Sequence, residues 1–261
     1  MTYASVNGAK IWYELHGKSG IPVVLLTGLG GTTGFWDRAL PLLADRCQVL
    51  ILDNRGAGRT EYRGDFTIAD LTDDTAAIMD LLGLFSAHIL GWSMGSHIAL
   101  DFAARYPLRT RSLTLVSSYR HRPARAAYVL NWLAEAYSKG TVPPEAVGRT
   151  LNVLLHPEGY FRGMEVMSRT PRLPVLPTAE GMGRQLRAID GMDVTGEARS
   201  LKVPVLSVHG TEDIMVEPKE GDALAALIPD CEKLRIPGEG HVIRPENYMP
   251  AFQQFALRHQ R

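Results

Sequence analysis

The sequence contains very little cysteine. Cys47 and Cys231 are the only two among 261 residues, they are far apart, and they form neither a C-x-x-C pair nor a metal-binding spacing. These features exclude a fold held together by disulfides and a cysteine-based zinc site. We expect both thiols to be structural and buried.

An excess of charge and a long apolar run are absent as well. Lys+Arg and Asp+Glu both total 28, so the net charge is zero and no basic field for nucleic acid or anionic lipid is indicated. No apolar run approaches the ~20 residues that span a bilayer. The first five residues lack the charged and apolar regions of a signal peptide. We therefore expect a cytoplasmic protein without nucleic-acid or membrane partners.

Apolar runs and helical periodicities alternate along much of the chain. Asn7-Gly8 between alternating apolar residues predicts an N-terminal hairpin, and Thr67 with Asp70 forms a capping-box pattern. Strands are expected at 22–27, 48–52, 87–90, 112–116, 203–208 and 232–236, and helices at 35–44, 68–82, 96–104, 220–227 and 248–259. This order predicts an α/β protein with a mainly parallel central sheet and helices on both faces.

The alternation is interrupted once. Between residues 120 and 199 no strand pattern occurs, whereas 126–137 and 147–155 have apolar residues at helical spacing. We predict a helical cap at 120–199, inserted over the carboxyl edge of a core formed by 1–119 and 200–261.

The residues Gly91-Trp92-Ser93-Met94-Gly95 lie between an expected strand and an expected helix. A serine at such a corner, with glycine two places away on each side, is typical of a nucleophile elbow. The first amides of the following helix point toward any negative charge that develops beside Ser93. Ser93 is therefore the candidate nucleophile.

A serine hydroxyl needs a base, and the base needs an acid to hold its tautomer. Asp213 follows the strand expected at 203–208, and His241 follows the next strand, so both are expected at the same edge of the sheet as Ser93. Along the chain the nucleophile, acid and base come in the order Ser, Asp, His, which is the order typical of a nucleophile elbow on an α/β sheet. Among competing residues, a structural role is favoured for His97, His209, Asp53 and Arg55.

Five motifs together resemble the α/β-hydrolase superfamily over essentially the whole chain. They are Gly28-Leu29-Gly30-Gly31, Asp53-Asn54-Arg55-Gly56-Ala57-Gly58, Gly91 to Gly95, Gly210 to Asp213 and Gly238 to His241. The resemblance implies the α/β-hydrolase fold and an oxyanion hole formed by the backbone amides of Leu29 and Met94. The family usually has histidine where this chain has Thr27, a difference that concerns how the loop is braced.

These residues and the resemblance predict a serine hydrolase of small-molecule carboxylic esters, similar to small helix-capped carboxylesterases and enol-lactone hydrolases, with no cofactor or metal. Cleavage of a carbon–carbon or carbon–nitrogen bond by the same triad is the alternative. A ligand receptor that kept the fold is disfavoured because all three catalytic positions are intact.

Two groups of residues are candidates for substrate binding. Trp92, Phe35 and Trp36 are candidates for the acyl pocket, although such aromatic residues belong to a core as often. Residues 120–199 contain ten arginines and one lysine against eight acidic residues, a net charge of +3. Arg122 and Arg125 are therefore candidates for binding an anionic substrate, with a solvated helical face as the alternative. The oligomeric state is not predicted.

Overall fold

A central sheet of eight strands organises the chain in a computed structural model that describes residues 2–43, 45–166 and 175–260. The strands are β1 Thr2–Val6, β2 Ala9–His16, β3 Ile21–Leu26, β4 Cys47–Leu52, β5 Ala87–Trp92, β6 Thr110–Val116, β7 Val205–Gly210 and β8 Cys231–Ile236. Their spatial order is β1-β2-β4-β3-β5-β6-β7-β8. All neighbours are parallel except β1 with β2 and β2 with β4, which confirms the predicted mainly parallel sheet.

The predicted N-terminal hairpin is present. Strands β1 and β2 pair antiparallel up to Val6 and Ala9, and the two residues between them have φ angles of 48° at Asn7 and 74° at Gly8. Two successive positive φ angles fit a type I′ turn, which asparagine and glycine adopt at little cost.

Ten α-helices lie among the described residues. They are α1 Leu40–Leu43, α2 Ile68–Leu81, α3 Met94–Arg105, α4 Ala124–Ser138, α5 Pro144–Leu155, α6 Glu158–Val166, α7 Ala179–Ala188, α8 Thr195–Ser200, α9 Pro218–Ala225 and α10 Pro245–Arg258. Helix α2 begins with the predicted capping box: the Thr67 hydroxyl accepts from the Asp70 amide, and the Asp70 carboxylate accepts from the Thr67 amide at 2.7 Å.

The helix predicted over 35–44 is wrong. A short 3₁₀ turn covers Thr33–Trp36, and α1 covers only Leu40–Leu43. Pro41 has no N–H to donate and is accommodated most easily in the first turn of a helix, which is where it lies in α1. Ala44, the last residue of the predicted helix, lies outside the described residues.

Each face of the sheet has its own buried core. One core contains Leu71 of α2, Ile98 of α3 and Leu224 of α9, together with Leu133 of α4. The other contains Leu43 of α1 and the α10 residues Tyr248, Met249, Phe252 and Phe255. Helices therefore cover both faces, as predicted, and leave the carboxyl ends of the parallel strands for the loops that carry the candidate site.

Among the described residues, five helices, α4 to α8, separate strands β6 and β7, which are neighbours in the sheet. We call them the insertion helices. Residues 167–174 of the predicted cap lie outside the described residues, and the division into core and cap stays a prediction. None of the helices in the described ranges is long and apolar enough to cross a membrane.

Candidate active site

Ser93 lies at the corner between β5 and α3 with φ 54° and ψ −121°, a left-handed conformation that is unfavourable for serine. A Cβ at Gly91 would collide with the Gly95 carbonyl, and a Cβ at Gly95 would collide with the Leu26 carbonyl. The Ser93 amide donates to the Val116 carbonyl at 2.9 Å, which ties the corner to strand β6. The glycines of the predicted elbow thus permit the close packing that holds the serine in this conformation.

The structure brings together the three residues that the sequence singled out. His241 Nε2 lies 2.9 Å from Ser93 Oγ, and His241 Nδ1 lies 2.8 Å from Asp213 Oδ2. Asp213 and His241 are 2% and 1% exposed, whereas Ser93 is partly exposed. A reachable hydroxyl is therefore connected, through one imidazole, to a carboxylate shielded from water.

Four donors surround the Asp213 carboxylate. Its Oδ1 accepts from the amides of Met215 at 3.0 Å and Val216 at 2.9 Å, and its Oδ2 accepts from His241 and from His209 Nε2 at 3.1 Å. Burial by itself raises the pKa of Asp213, but the charge of His241 and the hydrogen bonds from both histidines outweigh it and lower that pKa to about 2. The carboxyl group is therefore ionised at neutral pH.

His209 makes a contact that the sequence did not reveal. Its Nε2 is near the Val216 carbonyl, at 2.8 Å, as well as Asp213. A carbonyl only accepts, so Nε2 carries the proton and donates to both oxygens. His209 is fully buried, as expected of a structural residue. Its hydrogen-bond partner, however, is the candidate catalytic acid Asp213. In the sequence, the only sign of this contact is that His209 lies four residues before Asp213. That spacing does not determine the direction in which the ring points.

The loop that carries His241 is tied to the strands beside it. The His241 carbonyl accepts from the Trp92 indole N–H and from the Ser117 hydroxyl, both at 2.8 Å. Trp92 precedes Ser93, and Ser117 follows β6. The candidate base and nucleophile are therefore held by the same pair of strands.

The loop after β3 forms a tight turn beside the elbow. The Gly31 amide donates to the Gly28 carbonyl at 3.0 Å, and Gly30 has φ 71°, as in a type II turn. Thr27, where the family usually has histidine, donates its hydroxyl to the Gly31 carbonyl at 3.1 Å and so closes the loop. No backbone hydrogen bond within the described ranges uses the Leu29 N–H. The Met94 N–H is the first of helix α3, where amides lack an intrahelical partner.

A cavity of about 710 Å³ opens above Ser93, a size that suits a small organic molecule. The turn and the elbow contribute Leu29, Trp92 and Met94 to its wall, and α4, α5 and α7 contribute mainly apolar side chains, among them Ala126, Leu130, Leu151 and Met182. Phe35 and Trp92 line it as a stacked pair with ring centroids 4.3 Å apart.

Two of the predicted substrate contacts do not line the cavity. Trp36 is fully buried in the core, where its ring meets the edge of Phe35, because the 3₁₀ turn points these neighbours in different directions. The Arg125 side chain is 74% exposed and lies 3.5 Å from Glu217, on the outer side of α4. Arg122, by contrast, lines the cavity, is 7% exposed and donates to Asp190 at 2.9 Å.

Three further residues have the structural roles that the sequence favoured. Asp53 accepts from two backbone amides, and Arg55 forms a buried ion pair with Asp74 at 2.6 Å. His97 is buried and contacts the carbonyls of Ser93 and Tyr119. Its burial lowers its pKa to about 4. In the part of the chain that the structure describes, no group of three or more His, Cys, Asp or Glu residues could hold a metal ion.

The chain is similar to several solved structures over nearly its whole length. It is 26% identical to the enol-lactonase from Burkholderia xenovorans LB400, with a TM-score of 0.84 and 98% of each chain covered. It is also 26% identical to a malate-bound thermophilic esterase from Thermogutta terrifontis, with a TM-score of 0.84, covering 100% of this chain and 98% of the other.

Similarity to curated proteins gives a second set of relatives. A protein of Azorhizobium caulinodans named "Putative carbamate hydrolase RutD" is 29% identical, with 92% of this chain and 91% of the relative covered. A protein of the same name from Caulobacter vibrioides is 27% identical over 98% of this chain and 97% of the relative. A family model described as alpha/beta hydrolase fold matches residues 21–248. The chain therefore belongs to the α/β-hydrolase family and is a hydrolase.

Proposed function

We propose that the protein is a serine hydrolase that cleaves carboxylic esters of small molecules through an acyl-enzyme. The observation that carries the proposal is the uninterrupted chain of hydrogen-bond contacts from Ser93 through His241 to Asp213, at 2.9 Å and 2.8 Å, beside a mainly apolar cavity. Its Asp-His-Ser geometry is that of general-base activation of a nucleophile.

The reaction starts when Ser93 Oγ attacks the ester carbonyl and its proton passes to His241 Nε2. Asp213 accepts from Nδ1 and stabilises the resulting imidazolium. The amides of Leu29 and Met94 donate to the oxyanion of the tetrahedral intermediate. His241 then protonates the departing alcohol, and the acyl group stays on Ser93. Water, deprotonated by the same histidine, releases the acid and regenerates the enzyme.

The aromatic pair Phe35 and Trp92 suits the acyl group. Both rings line the cavity, and Trp92 is the residue before the nucleophile. Stacked aromatic rings offer apolar surface to an alkyl or aryl chain without leaving a buried polar group unpaired. We propose this pair as the wall of the acyl pocket.

The test is a comparison of kcat/KM across p-nitrophenyl esters of increasing acyl length, an enol-lactone and a vinylogous diketone. Wild-type protein should hydrolyse the esters, and Ser93→Ala should lower kcat by about 10⁴ or more with little change in melting temperature. Turnover of the diketone in preference to the esters would instead support carbon–carbon cleavage. Turnover at background on every compound would support a receptor.

A carbamate is the second candidate substrate, because relatives that align over nearly the whole chain are named as carbamate hydrolases. The same attack by Ser93 on a carbamate carbonyl would expel an amine that takes its proton from His241. Ammonia release from an alkyl carbamate, measured beside the ester series, tests whether the carbamate is a substrate. The mass of the group left on Ser93 after brief mixing identifies the bond that is cleaved: loss of the amine leaves an alkoxycarbonyl group, whereas loss of the alcohol leaves a carbamoyl group.

We also propose that Arg122 favours substrates with a distal carboxylate. Arg122 lines the cavity, and the exposed Arg125 three residues later supplies a matched control. Arg122→Gln should raise KM for a hemisuccinate ester several-fold, and the effect should shrink with added salt. A neutral ester of equal length should be unaffected, and Arg125→Gln should change neither value. An equal effect of Arg122→Gln on both esters would contradict the proposal.

A further inference from the structure

A buried glutamine of the insertion helices connects two loops of the sheet edge. Gln185 of α7 is fully buried. Its Oε1 accepts from the Gly30 amide at 2.7 Å, and its Nε2 donates to the Arg55 carbonyl at 2.8 Å. Both polar atoms of the side chain are therefore used, one on the turn beside the elbow and one on the loop after β4.

The loop after β4, which Gln185 contacts through the Arg55 carbonyl, is itself held in place. The Arg55 guanidinium donates to both oxygens of Asp74 and to the Asn7 carbonyl, so the loop after β4 is tied to α2 and to the N-terminal hairpin. A Cβ at Gly56 would lie 2.9 Å from Gln185 Cγ. Helix α7 therefore packs directly against this loop. The Gln185 side chain that accepts from Gly30 is thus held in position by the loop.

In the turn, Gln185 holds the peptide that follows the proposed oxyanion donor, Leu29. Gly30 follows Leu29, and the peptide between them is the central one of the turn from Gly28 to Gly31. A type II turn changes type when its central peptide rotates. Rotation here would turn the Gly30 N–H away from Gln185 and would bring the Leu29 carbonyl toward the same acceptor oxygen. The hydrogen bond therefore fixes the turn in the observed form.

Pro177, which precedes α7, also covers the turn. A Cβ at Gly30 would lie 2.8 Å from Pro177 Cδ, so Pro177 packs against the turn beside the Gln185 contact. Gln185 of α7 and Pro177, which precedes α7, thus both contact the turn that carries the Leu29 amide.

We propose that Gln185 is a positioning residue for the oxyanion hole: by holding the Gly30 amide, it fixes the position of the turn and thereby of the adjoining Gly28–Leu29 peptide, whose N–H donates to the developing oxyanion. This inference rests on the proposed serine hydrolase function. Its consequence is that the insertion helices contribute to the chemical step as well as to the cavity wall. A donor that is misaligned binds the ground state almost as before and stabilises the transition state less.

The experiment compares Gln185→Met, which keeps the side-chain length and loses both hydrogen bonds, with wild-type protein on the best p-nitrophenyl ester. We expect kcat to fall by about 10- to 100-fold and KM to stay within about two-fold. The inhibition constant of an alkyl trifluoromethyl ketone, which adds to Ser93 and places an oxyanion in the hole, should rise by a similar factor. Gln185→Asn, one methylene too short to bridge the Gly30 amide and the Arg55 carbonyl, serves as a second variant and should show the same pattern.

Leu186→Ala is the matched control, because Leu186 is the neighbouring buried residue of α7 and packs into the core. It should lower the melting temperature at least as much as Gln185→Met does and keep kcat and the ketone inhibition constant near wild type. A folded Gln185 variant with wild-type kcat, or a loss of kcat in Leu186→Ala equal to that in Gln185→Met, would overturn the role of Gln185. Absence of any Ser93-dependent turnover in wild-type protein would contradict the proposed function and this inference with it.

Discussion

Two buried aspartates at the same edge of the sheet have different partners. Asp53 follows β4, and its two oxygens accept from the amides of Thr33 at 2.6 Å and Arg59 at 2.8 Å. Asp213 follows β7 and receives two amides on Oδ1 alone, which leaves Oδ2 for imidazoles. A carboxylate whose oxygens both accept from backbone amides braces loops, whereas one with an oxygen that accepts no backbone amide can bind and orient an imidazole base.

The largest effect is expected at Asp213. Asp213→Asn keeps the shape of the side chain but favours the wrong tautomer of His241, so kcat should fall by about 10⁴. Steady-state kinetics on an ester substrate, with circular dichroism to verify the fold, measures this loss. A stable Asp213→Asn protein with more than a tenth of wild-type kcat would disprove its assignment as the catalytic acid.

Asp53→Asn should give the opposite result. The amide NH₂ cannot accept a hydrogen bond, so one of the two backbone donors loses its partner at a cost of about 1–3 kcal/mol in the free energy of unfolding. Urea unfolding measures this cost, and kcat should stay within a few-fold of wild type. Abolished turnover in a stable Asp53→Asn protein would contradict the structural role assigned to Asp53.

Acid should affect the stability that Asp213 provides. Its pKa is lowered from 3.8 to about 2 in the folded protein, so the unfolded chain takes up its proton first as pH falls. The stabilisation is complete above about pH 4 and is lost as pH falls through 2, a difference of about 2 kcal/mol. The unfolding free energy of wild-type protein should therefore fall more steeply from pH 4 to 2 than that of Asp213→Asn, and equal slopes would contradict this linkage.

The smallest expected effect concerns His209. His209→Phe keeps a buried ring and removes a donor to Asp213 Oδ2, so the carboxylate is held less firmly and kcat should fall by about ten-fold. His209→Gln places an amide nitrogen where Nε2 was and should restore most of that loss. If both variants show the same kcat, the hydrogen bond from His209 does not contribute to catalysis.

The sequence predicted the sheet and the proximity of Ser93, Asp213 and His241 because these features depend on local rules. Buried strands have apolar runs, the elbow needs glycines, and parallel strands bring the loops at their carboxyl ends to one edge. Such rules act over a few residues at a time, and a single chain is enough to reveal them.

The contacts of His209 and Gln185 could not be predicted in this way. Gln185 meets Gly30 across a sequence separation of 155 residues, and its identity carries no local pattern. Trp36 and Phe35 were predicted to share the acyl pocket, but Phe35 lines the cavity whereas Trp36 is buried in the core. Side-chain direction within a loop or turn is decided by tertiary packing rather than by composition.

The two hydrogen bonds that the His241 carbonyl accepts from Trp92 and Ser117 make local unfolding unfavourable. Detaching the histidine loop alone would leave a buried indole N–H and a buried hydroxyl without partners, so the loop opens at a free-energy cost closer to that of unfolding the strands behind it. Thermal inactivation of this protein is therefore expected to follow global melting of the sheet, rather than the earlier loosening of a single loop.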